Sequence, residues 1–302
     1  MKYLKVYKRL LIVCLLMLKL FLPVHAQESE KQKKFEKAYP LHSSQAVFII
    51  NRLGDVVVKN WEQKEVKAEV TITARAADET AAQAILNAVS VKSTNDKDSV
   101  IFATNIMENT QAGKKGISVN YTVYVPAACR LSINNRIGNI IVPSRDGITN
   151  INQLIGDLTI GDLPNGGDID TKIGKVIAGT LNNMKLKIAH SDVSIKGLSG
   201  NISSDFFICK QLNIGLMPGL KKLDLKLAYS KDAIITFPPS FNGSFNIETK
   251  YGKLDNKTPF KINQVSPEVE YGFTFLRKYK GESGSGKVPV FISSDFSNLI
   301  LQ

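Results

Sequence analysis

Four stretches decide the fold reading: INNRIGNI at 133–140, INQLIGDL at 151–158, IDTKIGKV at 169–176 and LKIAHSDV at 186–193. Laid in register, Gly138, Gly156, Gly174 and Ser191 form one column at spacings of 18, 18 and 17 residues. Five residues before each stands Ile133, Ile151, Ile169 or Leu186; two after stands Ile140, Leu158, Val176 or Val193; four after stands Val142, Ile160, Ala178 or Ile195. Self-similarity at this period marks stacked supersecondary units. Each unit reads strand, tight turn, strand, and holds too few apolar residues for a core of its own. Stacking joins the inward side chains into continuous columns. Glycine admits the positive φ of a sharp corner, and Ser or Asp can bond the local backbone there instead.

Outward from this stretch the register loosens. IINRLGDV at 49–56 repeats the pattern 84 residues ahead of Gly138. Downstream, Ile202-Ser203-Ser204-Asp205-Phe206 is matched by Ile292-Ser293-Ser294-Asp295-Phe296, and Ala189-His190-Ser191-Asp192 by Ala228-Tyr229-Ser230-Lys231. Lys250-Tyr251-Gly252-Lys253 is matched by Glu270-Tyr271-Gly272-Phe273, in longer units of 20 to 26 residues whose surplus must loop outward. The expected fold is all-β: a single-stranded, mostly parallel β-helix or β-roll, a solenoid, with one short helix in its N-terminal unit. A β-sandwich is the alternative, since it also strings short strands between turns, but it demands no fixed residue at a fixed period.

The chain divides as residues 1–26, 27–46, 47–126 and 127–302. Lys2, Lys5, Lys8 and Arg9 precede an apolar run from Leu10 to Leu22, and Val24-His25-Ala26 ends in a small residue. This predicts a secretory signal peptide over 1–26 and a mature start at Gln27. The run is shorter than the roughly 20 residues a membrane span needs and is broken by Lys19. Cys14 lacks the small preceding residue of a lipidated cysteine. Residues 27–46 read as a charged lead-in, with structure beginning at Val47. Residues 47–126 read as a strand-rich unit that can cap one end of the stack: Val66–Thr73 alternates as a half-buried strand, and Asp78 offers an N-cap to a helix reaching about Val89. Ser99–Asn105 and Ile117–Val125 are further strands around a Gly-Lys-Lys-Gly loop at 113–116. Residues 127–302 carry the solenoid units, with the cap of the far end undefined because Leu299-Ile300-Leu301 stays apolar.

Removing residues 1–26 takes five Lys/Arg and no acid from 39 Lys/Arg and 27 Asp/Glu, so net charge falls from +12 to +7. The charge is spread, without the basic stripe and aromatic platforms of nucleic-acid binding. Export would permit a disulfide. Cys129 and Cys209, however, sit about four units apart, roughly 19 Å at ~4.8 Å per strand, beyond the ~7 Å a bridge tolerates. Two free, buried thiols are expected.

The corners hold the residue types that could carry chemistry. His190-Ser191-Asp192 holds the residue types of a hydrolase triad, but that constellation is assembled from separated positions; a corner-packing His190 is expected. Asp55, Asp157, Asp192 and Asp205 would follow the anchors, yet Lys175, Lys231 and Lys253 hold equivalent slots, where a hard cation needs six to eight oxygens. Gly166-Gly167-Asp168-Ile169-Asp170 is a lone copy of a calcium nonapeptide. Asp157 and Asp192 are the carboxylate pair a glycosidase would use. Tyr229, Tyr251 and Tyr271 could stack at one corner, and Trp61 is placed to seal the first hairpin. No catalytic, cofactor or metal residue is assigned.

The IINRLGDV of residues 49–56 with Trp61 and Val66 following, Val123-Tyr124-Val125-Pro126 leading into Leu131-Ser132-Ile133-Asn134, and the Ile-Gly-Asp/Asn corners resemble the putative-adhesin family of exported bacterial β-solenoid domains. The resemblance covers most of the mature chain and lies in the order of the motifs. It implies a right-handed, mostly parallel β-helix or β-roll in the cell envelope and carries over no catalytic residue. The expected function is a non-enzymatic scaffold at the periplasm or cell surface of a Gram-negative-type envelope, presenting a surface to a protein or glycan. A carbohydrate-active enzyme on the same scaffold, or an accessory of envelope stress signalling, are the alternatives. No cofactor, nucleic acid or membrane span after cleavage is expected, and the longer units after Asn201 and the N-terminal unit are where a functional surface is expected.

Overall fold

The computed structural model describes residues 28–107, 116–266 and 275–302. The expected signal peptide, the 113–116 loop apart from Gly116, and Glu270–Phe273 lie outside the described residues. The N-terminal part runs β1 (Ser29–Pro40), β2 (Ala46–Leu53), β3 (Val56–Trp61), β4 (Glu65–Ala76), α1 (Glu79–Ala88), β5 (Val89–Asn95), β6 (Ser99–Ile106) and β7 (Ile117–Pro126). Then follow β8 (Arg130–Ile137), β9 (Ile140–Val142), β10 (Thr149–Ile155), β11 (Leu158–Ile160), β12 (Gly167–Asn182), β13 (Met184–Ala189), β14 (Ser191–Phe207) and β15 (Gln211–Ala228). The chain closes with β16 (Asp232–Thr236), β17 (Gly243–Lys250), β18 (Leu254–Asn256), β19 (Lys261–Gln264), β20 (Leu276–Ser283), β21 (Val288–Asp295) and β22 (Asn298–Leu301).

The strands hydrogen-bond in two rows joined at corners. One row runs β5, β6, β2, β8, β10, then the first half of β12, β13, the second halves of β14 and β15, and on to β21, β17, β20 and β19. The other runs β1, β4, β7, β3, β9, β11, the second half of β12, the first halves of β14 and β15, then β16, β22 and β18. Parallel register sets Ile133 beside Ile151 and Ile151 beside Ile169. Alternation follows the pleat, so these residues are almost wholly buried while Asn134 and Asn152 face out.

The single-stranded, mostly parallel β-helix expected from the spacing is corrected here: the strands form one mixed sheet of 22. β4 and β5, β17, β19 and β20 enter antiparallel pairs. Strand order is also not chain order. β2 lies between β6 and β8, and β21, near the C-terminus, lies between β15 and β17. The physical reason is edge closure. A parallel edge presents unpaired N–H and C=O groups, and an antiparallel neighbour satisfies them through a short connection that a parallel one cannot use. The lead-in reading of residues 27–46 is corrected too. Ser29–Pro40 is a twelve-residue strand antiparallel to β4, because Phe35 and Tyr39 alternate with charges and pack against the core.

Asp78 caps α1 as expected, its carboxylate accepting from Ala81 N at 2.8 Å. Ile85 and Leu86 are buried, and Lys33 Nζ of β1 donates to Leu86 O at 2.6 Å across the helix end. The far end is sealed by Phe237, Phe241, Phe245 and Phe260, with ring centroids 4.9–6.0 Å apart. Leu299 and Leu301 are apolar to the end because β22 is interior, between β16 and β18. Among the described residues no helix is long and apolar enough to cross a membrane.

Candidate functional site

The corner between the two rows is built in two ways. At the first four corners the glycine takes the unusual backbone: Gly54, Gly138, Gly156 and Gly174 have φ of 120°, 132°, 140° and 147°. A Cβ on Gly138 would lie 2.0 Å from Gly54 O, so no other residue fits. Further along, the positive φ moves one residue earlier, onto His190 (45°), Ile208 (54°), Tyr229 (54°), Phe296 (50°) and Tyr251 (55°). Bulky side chains at φ > 0 are uncommon and cost of order 1–3 kcal/mol each. The anchor is now Ser191, Ser230 or Ser297, whose hydroxyl donates to the carbonyl two residues back at 2.6, 3.4 and 3.1 Å.

The consequence is an exposed ridge along one edge. Its first part is aliphatic: Ile137, Ile155 and Ile173, adjacent in register and 39–46% exposed. Its second part is aromatic. His190 meets Phe207 edge to face at 5.8 Å, Phe207 meets Tyr229 likewise at 5.8 Å, Tyr229 stacks on Phe296 at 4.9 Å, Phe296 stacks on Tyr251 at 4.4 Å, and Tyr251 tilts against Phe275 at 4.4 Å. Tyr229 is 54% exposed. Of the expected corner tyrosines, Tyr229 and Tyr251 are brought together with Phe296 between them, and Tyr271 lies outside the described residues. His190 is an exposed member of the ridge, not a packed corner residue.

Sequence reading missed Phe207, Phe275 and Phe296. The match of 202–206 to 292–296 set Phe296 opposite Phe206, but the true register sets Phe206 beside Leu227 and Leu227 beside Ser294. The available signal was the anchor Ser297, which places Phe296 in the same slot as His190 before Ser191 and Tyr229 before Ser230.

The residues following the anchors are committed to backbone. Asn120 Oδ1 accepts from Asp55 N, Asp55 Oδ1 from Asn139 N, Asn139 Oδ1 from Asp157 N, and Asp157 Oδ1 from Lys175 N, at 2.7–2.9 Å. Each carboxylate or amide thus ties its strand to the next. Lys175 pairs with Asp192 in register, so it stands between Asp157 and Asp192 and the two acids are not adjacent. Asp205 lies elsewhere, between Lys187 and Lys226 on the first row. Among the described residues no three His, Cys, Asp or Glu side chains converge as a metal site.

Inside, Asn51, Asn135, Gln153 and Thr171 form a buried polar column. Asn135 Nδ2 donates to Gly54 O and Gly138 O at 3.0 and 3.1 Å, and Gln153 Nε2 to Gly138 O at 2.7 Å. Corner carbonyls that glycine geometry turns inward are satisfied this way. Arg145 is buried at 2% exposure and donates to Pro126 O and Cys129 O; desolvation lowers its pKa to about 10. Cys129 and Cys209 are free thiols, both with raised pKa from burial. Cys129 is only half-buried, correcting the expectation of two buried thiols. Trp61 Nε1 donates to Glu65 O at 2.8 Å and its ring lies 5.4 Å from Tyr124, closing the β3–β4 turn.

The outward side of the first row carries a polar lattice. Ser132, Asn150, Asp168 and Lys185 follow one column, and Asn134, Asn152, Asp170 and Lys187 the next. Together they line a shallow open groove of about 440 Å³.

No family model and no curated protein matches the chain. Among solved structures it is similar to a putative adhesin from Parabacteroides distasonis at 10% identity, covering 89% of this chain and 97% of that one with a TM-score of 0.38. A putative adhesin from Bacteroides fragilis (9%, 89% and 97%, TM-score 0.32) and a putative cell adhesion protein from Clostridium sporogenes (12%, 90% and 99%, TM-score 0.27) are similar too. At these TM-scores the likeness carries no argument.

Proposed function

We propose that this chain is a non-enzymatic, exported cell-envelope protein that presents its first strand row to a glycan or protein partner. The observation that carries this reading is the polar lattice. Amide, carboxylate and ammonium groups recur there at the strand spacing of ~4.8 Å, on a wide and rigid face, in a groove of about 440 Å³. A repeating array of paired donors and acceptors matches the repeating hydroxyls of a glycan better than an apolar protein patch. The basic residues 2–9, the apolar run 10–22 and Val24-His25-Ala26 support export.

The test is binding of the processed chain to a panel of envelope and host polysaccharides by titration calorimetry, with N152A/D170A as comparison. Both positions lie on the sheet's outer side, so the variant should fold. Saturable binding weakened at least tenfold in the variant supports the reading, and equal binding by both forms would sink it. Polysaccharide cleavage lost on changing Asp157 or Asp192 would overturn the non-enzymatic part.

A further inference from the structure

The lattice leaves the ridge on the adjoining edge unexplained. Gly suffices at the first four corners, yet five later corners hold His190, Ile208, Tyr229, Phe296 and Tyr251 at positive φ. Core packing does not repay that strain, because each of these side chains points away from the core and is exposed; only the ring contacts along the ridge offset it, at about 0.5–1.5 kcal/mol a pair. Nine residues in single file, from Ile137 to Phe275, make eight steps of ~4.8 Å, a largely apolar edge roughly 38 Å long.

Three kinds of occupant differ in what they ask of such an edge. A sugar stacks on an open ring face, but Tyr229, Phe296 and Tyr251 cover one another's faces, with interplanar angles of 7° and 12°, and turn their rims outward. A second copy needs a patch of about 20–30 residues a side for a stable interface, which a single file does not supply. A lipid surface asks for aromatic rims and aliphatic tips at headgroup depth with cations beside them. Those cations are present: Lys250 precedes Tyr251, with Nζ 5.8 Å from the ring centroid, and Lys210, Lys231 and Lys253 each follow a strained corner by two residues, all four exposed. Of the acids close in sequence to the aromatic part, Asp192 and Asp295 are half-buried, and the exposed Asp205 lies between Lys187 and Lys226 in register.

We propose that the ridge is a peripheral docking edge for an anionic lipid surface, its aromatic rims entering the headgroup layer and the four lysines pairing with lipid phosphates. This is independent of the lattice: one edge holds the membrane while the adjoining face stays open to its partner.

The experiment is flotation of the processed chain with phosphatidylcholine vesicles, with and without 30% phosphatidylglycerol. Asn tolerates the left-handed region, so Y229N/F296N/Y251N keeps the corners while removing the rims. A second variant, K210Q/K231Q/K250Q/K253Q, keeps the rims and removes the charge. The expected results are binding to anionic vesicles only, at least tenfold weaker with the Asn variant, and about fivefold weaker for each lysine removed, from the ~1 kcal/mol a surface lysine contributes. The proposal is overturned by absence of binding to anionic vesicles or by binding that both variants leave unchanged. It is also overturned if the Asn variant loses glycan binding or a concentration-dependent dimer while vesicle binding stays intact.

Discussion

Gly156→Ala probes the corner geometry most directly. Gly156 has φ of 140°, a region that L side chains avoid, and an added Cβ would lie 2.1 Å from Gly138 O and 2.5 Å from Gly138 C. Both clashing atoms are backbone, so no rotamer change relieves them. The backbone strain costs about 1–3 kcal/mol. Forcing two strands apart in a close-packed stack costs about 1–3 kcal/mol more. The Gly156 N–H to Ile173 O and Gly138 N–H to Ile155 O bonds, both 2.9 Å, are the first to lengthen. The expected loss is roughly 4 kcal/mol, and at a urea slope near 3 kcal/mol/M the midpoint should fall by about 1.3 M. Gly219→Ala is the control: its added Cβ meets only Ser199 Cβ at 3.7 Å, and its φ is not in the restricted range. That change should be neutral or stabilise by up to about 1 kcal/mol. Matched urea melts followed by circular dichroism read both. A Gly156→Ala midpoint within 0.3 M, roughly, of the Gly219→Ala midpoint would refute the corner reasoning.

Ile208→Asn should stabilise by about 1 kcal/mol, because a β-branched residue at φ 54° gives way to one that tolerates it; a lowered thermal midpoint would count against the strain. Tyr121 is 1% exposed and desolvation raises its pKa to about 12 from 10.0. The unfolded chain therefore releases that proton first, and stability is full below pH 10 and falls between pH 10 and 12. Two pH units correspond to about 3 kcal/mol, and Tyr121→Phe should flatten the fall in alkaline denaturation curves. Cys129 should react with a maleimide well before Cys209, which is 1% exposed, and equal labelling rates in the native state would contradict their placement.

Much of the local structure was legible from residues alone. The inward column of Ile133, Ile151 and Ile169 follows from the pleat and from the gain in burying an isoleucine, whereas the burial of Asn135 and Gln153 beside them depends on the corner carbonyls they meet. Asp78 as N-cap needs only the first-turn N–H groups to be explained. Phe296 was misplaced by two residues because short Ile-Ser-Ser-Asp-Phe strings match by type on either face of a strand, and a two-residue slip preserves the pleat.

The all-β content, the helix at Asp78, the glycine corners and the inward columns are set by interactions within a strand or turn, and so they can be read from the residues. The order and direction of the strands come from the folded chain as a whole. That β2 slots between β6 and β8, that β21 and β22 enter the stack ahead of β17 and β18, and that β1, β5, β19 and β20 close edges antiparallel are matters of long-range pairing. Such pairing leaves no period in the chain, because the hydrogen bonds are made by backbone groups that every residue carries alike. The ridge belongs to the second class. Its aromatic members are scattered from His190 to Phe296, and only the register that stacks their strands puts them in one line.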